Sequence, residues 1–115
     1  MLRRERDWLL DILDAIDLIE QYTGSGMPDP DPRNPVWDGV LFNLMVVGEA
    51  SSKLPDELRS RAPDVDWRGA IGMRNVIAHE YFAVKREIVE KAVREDLPSL
   101  REAVTRLLRE LDEEG

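Results

Sequence analysis

The chain has 115 residues, of which 43% are hydrophobic and 35% charged, with a net charge of −8. That length is expected to form one domain, residues 1–115, and the balance excludes a disordered chain and a membrane-spanning one. With no cysteine and one histidine, disulfides, thiol nucleophiles and the usual Cys/His metal sites are also excluded, so no metal and no cofactor is expected.

The first elements are helical. Leu9, Ile12, Leu13, Ile16 and Ile19 recur at the spacing of one helix face, which predicts a helix from about Leu2 to Tyr22. The charged start Arg3-Arg4-Glu5-Arg6-Asp7 does not resemble a secretory leader, so a cytoplasmic protein is expected. Thr23-Gly24-Ser25-Gly26 ends the helix. Pro28, Pro30 and Pro32 alternate with Asp29 and Asp31, a spacing that neither a helix nor a central strand tolerates. Residues 24–33 are therefore expected as an exposed loop between antiparallel helices.

Asn34-Pro35 reads as an N-cap followed by proline at the first helical position, and opens a second helix to about Lys53. Trp37, Val40, Leu41, Leu44 and Val47 form its main stripe, widened by Val36, Met45 and Val46. Gly48 lies one turn beyond Leu44 and would admit another helix at close range. A short helix is expected at Asp56–Arg61, between Pro55 and Pro63. Asp66 caps a fourth helix, from Trp67 to His79 or Phe82. Val84–Glu95 reads as a fifth helix. Asp96 reads as the cap of a sixth, with Pro98 in its first turn and an end near Leu111. A single kinked helix would give the same signal across the last two. No run alternates as a strand does, so the fold class is all-α, an antiparallel bundle of about five or six helices.

Charge is unevenly placed. Residues 53–91 carry 8 basic and 7 acidic side chains, whereas both flanking segments are acidic. The only histidine, His79, lies in that middle segment, within Arg74-Asn75-Val76-Ile77-Ala78-His79-Glu80-Tyr81. On a helix Asn75 and His79 share a face, and Arg74 and Tyr81 nearly share another. Arg74 and His79 diverge by roughly 140° on an ideal helix. An arginine fork suits phosphate oxygens, and a histidine suits proton transfer at a ribose 2′-hydroxyl. Asn75 is placed to orient the ring or an attacking group. Acid–base cleavage of RNA is best served by two proton-transferring groups, so two copies of the helix about a twofold axis would complete the site. A homodimer is the simplest form of that idea. The plainer alternative is a histidine that complements its helix C-terminus.

Arg74-Asn75-x-x-x-His79 resembles the Arg-polar-x-x-x-His motif of the HEPN superfamily of helical ribonucleases. The longer Arg74-x-x-x-x-His79-x-Tyr81 is similar to the HepT toxins of HepT/MntA toxin–antitoxin pairs. Gly48-Glu49-Ala50, Leu54-Pro55, Trp67, Ile71-Gly72-Met73 and Asp96-Leu97-Pro98 add to the likeness, which extends over residues 36–110. The resemblance implies a metal-independent endoribonuclease acting on RNA, with Arg74 and His79 as the catalytic pair and Asn75 beside them. It implies a nucleotidyltransferase antitoxin of the MntA kind that transfers AMP to Tyr81. It assigns no chemical role to Glu49. A non-catalytic helical adaptor for such a nucleotidyltransferase is the alternative.

Overall fold

Each apolar stripe buries itself as helix spacing requires, and the proline and glycine clusters fall between helices. The structure, a computed structural model, describes residues 2–114. Helix α1 spans Leu2–Thr23, and Leu9, Ile12, Ala15, Ile16 and Ile19 are its buried face. It stops where the Thr23 hydroxyl donates to the Ile19 carbonyl at 2.8 Å and the Gly26 N–H donates to the Thr23 carbonyl at 2.9 Å. Gly26 takes φ +118°, a conformation that side chains with a Cβ rarely adopt. The proline loop is held by Asp31. Its carboxylate accepts the Arg33 N–H at 2.8 Å, and its carbonyl accepts the Asn34 N–H at 2.8 Å.

Helix α2, Pro35–Lys53, begins as expected, with the Asn34 side chain accepting the Val36 N–H at 3.0 Å. Trp37, Val40, Leu41, Leu44 and Val47 are buried. Val36 is exposed, and Met45 and Val46 are half-buried. The second face therefore remains only partly covered. Helix α3 is the single turn Asp56–Arg59, two residues shorter than expected. Pro63 has no N–H to give the Arg59 carbonyl, and the Trp67 indole N–H donates instead to the Arg59 and Ala62 carbonyls, both at 3.1 Å. Helix α4, Trp67–Glu80, starts at the Asp66 cap, whose carboxylate accepts the Gly69 N–H at 2.9 Å. It becomes a 3₁₀ turn at Tyr81–Ala83.

The C-terminal third corrects one expectation. Asp96 caps nothing. Helix α5, Arg86–Lys91, continues through a π-helical turn, Ala92–Asp96, into α6, Leu97–Glu114. The Leu97 N–H donates to the Ala92 carbonyl five residues back. Pro98 explains the wide turn: it offers no N–H, and in a regular α-helix its ring would meet the carbonyl four residues earlier. Asp96 sits inside the continuous run, 3.5 Å from the Lys91 ammonium.

Among the described residues there is no strand. The helices pack in the spatial order α6, α1, α2, α4, with α2 between α1 and α4. The core lies chiefly among α1, α2 and α6, where α6 contributes Leu100, Val104, Leu107 and Leu111. Arg101 pairs with Asp17 at 2.6 Å and with Glu20 at 2.8 Å across the α1–α6 seam. Exposed pairs of this kind contribute roughly 0–1 kcal/mol, whereas truncating one buried leucine costs about 2–5 kcal/mol. Apolar packing therefore holds the seam, and the charges add register. Helix α4 differs from its neighbours: Ile77 is its one fully buried side chain.

Candidate active site

Helix α4 can reach α2 closely because of Gly48. A Cβ built there would stand 2.7 Å from the Arg74 Cβ and 2.9 Å from the Ala70 carbonyl oxygen. This close crossing, expected from the sequence, sets Arg74 beside the next residue of α2. Arg74 Nη1 donates to the Glu49 carboxylate, and Nη2 donates to Asn75 Oδ1 at 3.2 Å. Lys53 adds a second cation 3.7 Å from Glu49. The hydrogen bond from Arg74, with its charge, holds the Glu49 carboxyl below the ordinary range.

The guanidinium thus already faces a planar anion, the geometry in which an arginine fork also takes phosphate. Arg74 is about one-third exposed along its side chain. Asn75, His79 and Glu80 are all exposed. The structure joins Arg74 to Asn75 and hydrogen-bonds His79 to neither. Among the described residues no side-chain hydrogen bond or ion pair involves His79. Asn75, one turn before the histidine, accepts from Arg74 rather than turning to the ring.

Tyr81 is re-aimed by the end of the helix. Glu80 takes φ −125°, ψ 32°, and the chain tightens into the 3₁₀ turn. The Tyr81 ring is half-buried against the core, and its hydroxyl donates to the Asp38 carboxylate in the first turn of α2. Burial first, and then the hydrogen bond and charge of Asp38, push the phenol up to about 12. Phe82 follows on the same turn, 82% exposed. Its ring meets Tyr81 edge-on, with centroids 5.5 Å apart and planes at 77°.

Glu49 and Asp38 are the two site neighbours that sequence reasoning did not assign. For Glu49 a signal existed, since a carboxylate beside a close-approach glycine will meet whatever the crossing helix presents. For Asp38 there was none, because it lies 43 residues from Tyr81.

A separate recess of about 370 Å³ opens between α4 and the α5–α6 rod, floored by Leu44 and Val47. Met73 reaches it from α4, but neither Arg74 nor His79 lines it. Asp64, Asp66, Glu95 and Asp96 stand around it against the single cation Lys91, an arrangement that repels phosphate. Among the described residues no three His, Cys, Asp or Glu side chains gather as a metal site. No described helix is long and apolar enough to cross a membrane.

The family model described as "Ribonuclease HepT-like" matches residues 12–107. The chain is 35% identical to "Probable ribonuclease HepT" of Thermococcus cleftensis, over 88% of this chain and 93% of that protein. It is 30% identical to "Putative RNase MJ1380" of Methanocaldococcus jannaschii, over 89% of this chain and 94% of that protein. It is also 31% identical to "Gamma-glutamylcyclotransferase and putative RNase MJ0434" of the same organism, over 91% of this chain but only 48% of that longer protein. No solved structure gives a significant match.

Proposed function

The chain belongs to the HepT-like ribonuclease family of the HEPN superfamily, and from that premise we propose a metal-independent endoribonuclease toxin, residues 1–115 forming one HEPN-like domain. The observation that carries the reading is the Arg74 guanidinium held on a carboxylate, on the same helix as the chain's only histidine. An RNA phosphate would take the place of Glu49 on the fork. Arg74 would then offset charge developing on the phosphorus oxygens. His79 would move the proton between the ribose 2′-hydroxyl and the leaving 5′-oxygen, leaving a cyclic phosphate. Asn75, already bonded to Arg74, would orient the fork.

One copy offers one proton-transferring group. Arg74 bonds Glu49 and Asn75 but not His79, which supports a composite site in a homodimer, where a second α4 supplies the other members. The exposed Val36 and Phe42 of α2 supply apolar surface for it. We place the protein in the cytoplasm, paired with an MntA-like nucleotidyltransferase antitoxin that silences it by transferring AMP to Tyr81. A bulky anion there, two residues from His79, would oppose RNA binding by size and charge.

A second reading is a non-catalytic adaptor for the nucleotidyltransferase, favoured by the carboxylate that already occupies Arg74. Cleavage of end-labelled RNA in EDTA separates the two. The enzyme reading expects wild type to cleave. It expects His79→Ala and Arg74→Ala to lose about 10²–10⁴-fold, with circular dichroism unchanged. Arg74→Lys should also be poor, because a point charge does not reproduce the fork. Cleavage abolished by EDTA would refute the acid–base route, and a monomer by light scattering at micromolar concentration would refute the composite site.

A further inference from the structure

The Tyr81 hydroxyl is not free to react as a phenol in water is. It is half-buried, and its proton is committed to a carboxylate from another helix. We propose that Asp38 is the proton acceptor for nucleotidyl transfer to Tyr81, so that the chain carries the base for its own modification. The proposal rests on the reading above that a nucleotidyltransferase transfers AMP to Tyr81.

The step balances as follows. The Tyr81 oxygen attacks the α-phosphorus of a bound nucleoside triphosphate. An O–P bond forms, and the bond from that phosphorus to the β-phosphate oxygen breaks. Pyrophosphate leaves with the electron pair. The phenolic proton passes along the existing hydrogen bond to Asp38 and from there to solvent.

Three observations converge on Asp38. It is the hydrogen-bond acceptor of the oxygen that must react. It is the charged group whose field acts on that oxygen. It also stands apart from the Arg74, Glu49 and Asn75 cluster, so the two chemistries do not share a carboxylate. Burial raises the phenol above its ordinary value, so tyrosinate is scarce at neutral pH. Attack by pre-formed tyrosinate would therefore be slow, whereas proton transfer concerted with attack avoids that penalty. Burial, which raises the phenol, makes the contact with Asp38 more necessary.

The test uses the full chain with an MntA-like nucleotidyltransferase and ATP, following AMP on Tyr81 by mass spectrometry from pH 6 to 9. Wild type is expected to take AMP on Tyr81 with a shallow pH profile. Asp38→Asn, nearly isosteric, should fall about 10²-fold or more at pH 7. Its rate should then climb about tenfold per pH unit, because only tyrosinate remains to attack. Asp38→Glu should recover part of the rate. Far-UV circular dichroism checks that each variant is folded. If Asp38→Asn is modified at the wild-type rate, or more slowly but with the wild-type pH profile, Asp38 is not the acceptor and the proposal falls while Tyr81 modification stands. If wild type takes no AMP on Tyr81, the reading of its control falls first, and the proposal with it.

Discussion

Arg74 stands with one nitrogen on Glu49 and another on Asn75. A guanidinium held at two points loses less rotamer freedom when a phosphate replaces one partner than a solvated one would. The same contact makes stability pH-dependent. The Glu49 carboxyl is held low in the folded chain by its hydrogen bond from Arg74 and by the charges of Arg74 and Lys53. Its contribution is therefore fully present above the ordinary glutamate range and is lost as pH falls through the lowered value. Glu49→Gln is expected to melt below wild type at pH 7, with the gap narrowing as falling pH protonates Glu49. Both side chains are partly exposed, so the gap should be small. Thermal melts followed by circular dichroism across the acid range check it, and a gap that does not narrow as pH falls would show that packing, not charge, was lost. Little of this residue-scale detail was legible beforehand. The Arg74-to-His79 run announced its chemistry by residue type, but its partners came from α2, and one-dimensional spacing says nothing about which carboxylate a crossing helix will present.

At the scale of the helix, glycines decide how closely α4 can lie. Gly48 faces the Arg74 Cβ and the Ala70 carbonyl at distances no added methyl could accept, whereas Gly72 has nothing within 4 Å of the place its Cβ would occupy. The two substitutions should act in opposite directions. Gly48→Ala must spread α2 from α4 and should cost about 1–3 kcal/mol. Gly72→Ala gains helix propensity and should stabilise by up to about 1 kcal/mol. Urea unfolding measures both, and equal effects of one sign would show that the crossing is not set at Gly48. Gly48 was readable in the sequence because its neighbours on α2 are large and apolar. The joint of α5 and α6 was readable only in part. Buried Val89, Ala92, Leu97, Leu100 and Val104 are spaced three, five, three and four. The five-residue step is the mark of a π turn, but Asp96-Leu97-Pro98 also has the pattern of a capped helix start. Local chemistry was the same for both, and only the hydrogen-bond register separates them.

Across the whole molecule, periodicity was enough to give an all-helical bundle, because three long amphipathic stripes have to bury against one another. It did not give their neighbours. That α2 would lie between α1 and α4, and that α4 would sit at the edge of the array, depends on packing between distant segments. This edge position has a consequence for how the protein fails. Helices α1, α2 and α6 share the core, while α4 buries one side chain fully and packs chiefly on α2. The segment that bears Arg74 and His79 should therefore open on its own, at lower free energy than the frame beneath it. In native-state hydrogen exchange, amides of residues 70–80 are expected to exchange well before those at the centres of α2 and α6. On slow heating, RNA cleavage should disappear while far-UV ellipticity is still largely native. Coincident loss of both, with uniform amide protection, would mean that the bundle melts as one unit. If the two losses separate, heat disarms the molecule reversibly: cooling re-docks one helix, and the rest of the chain never has to refold.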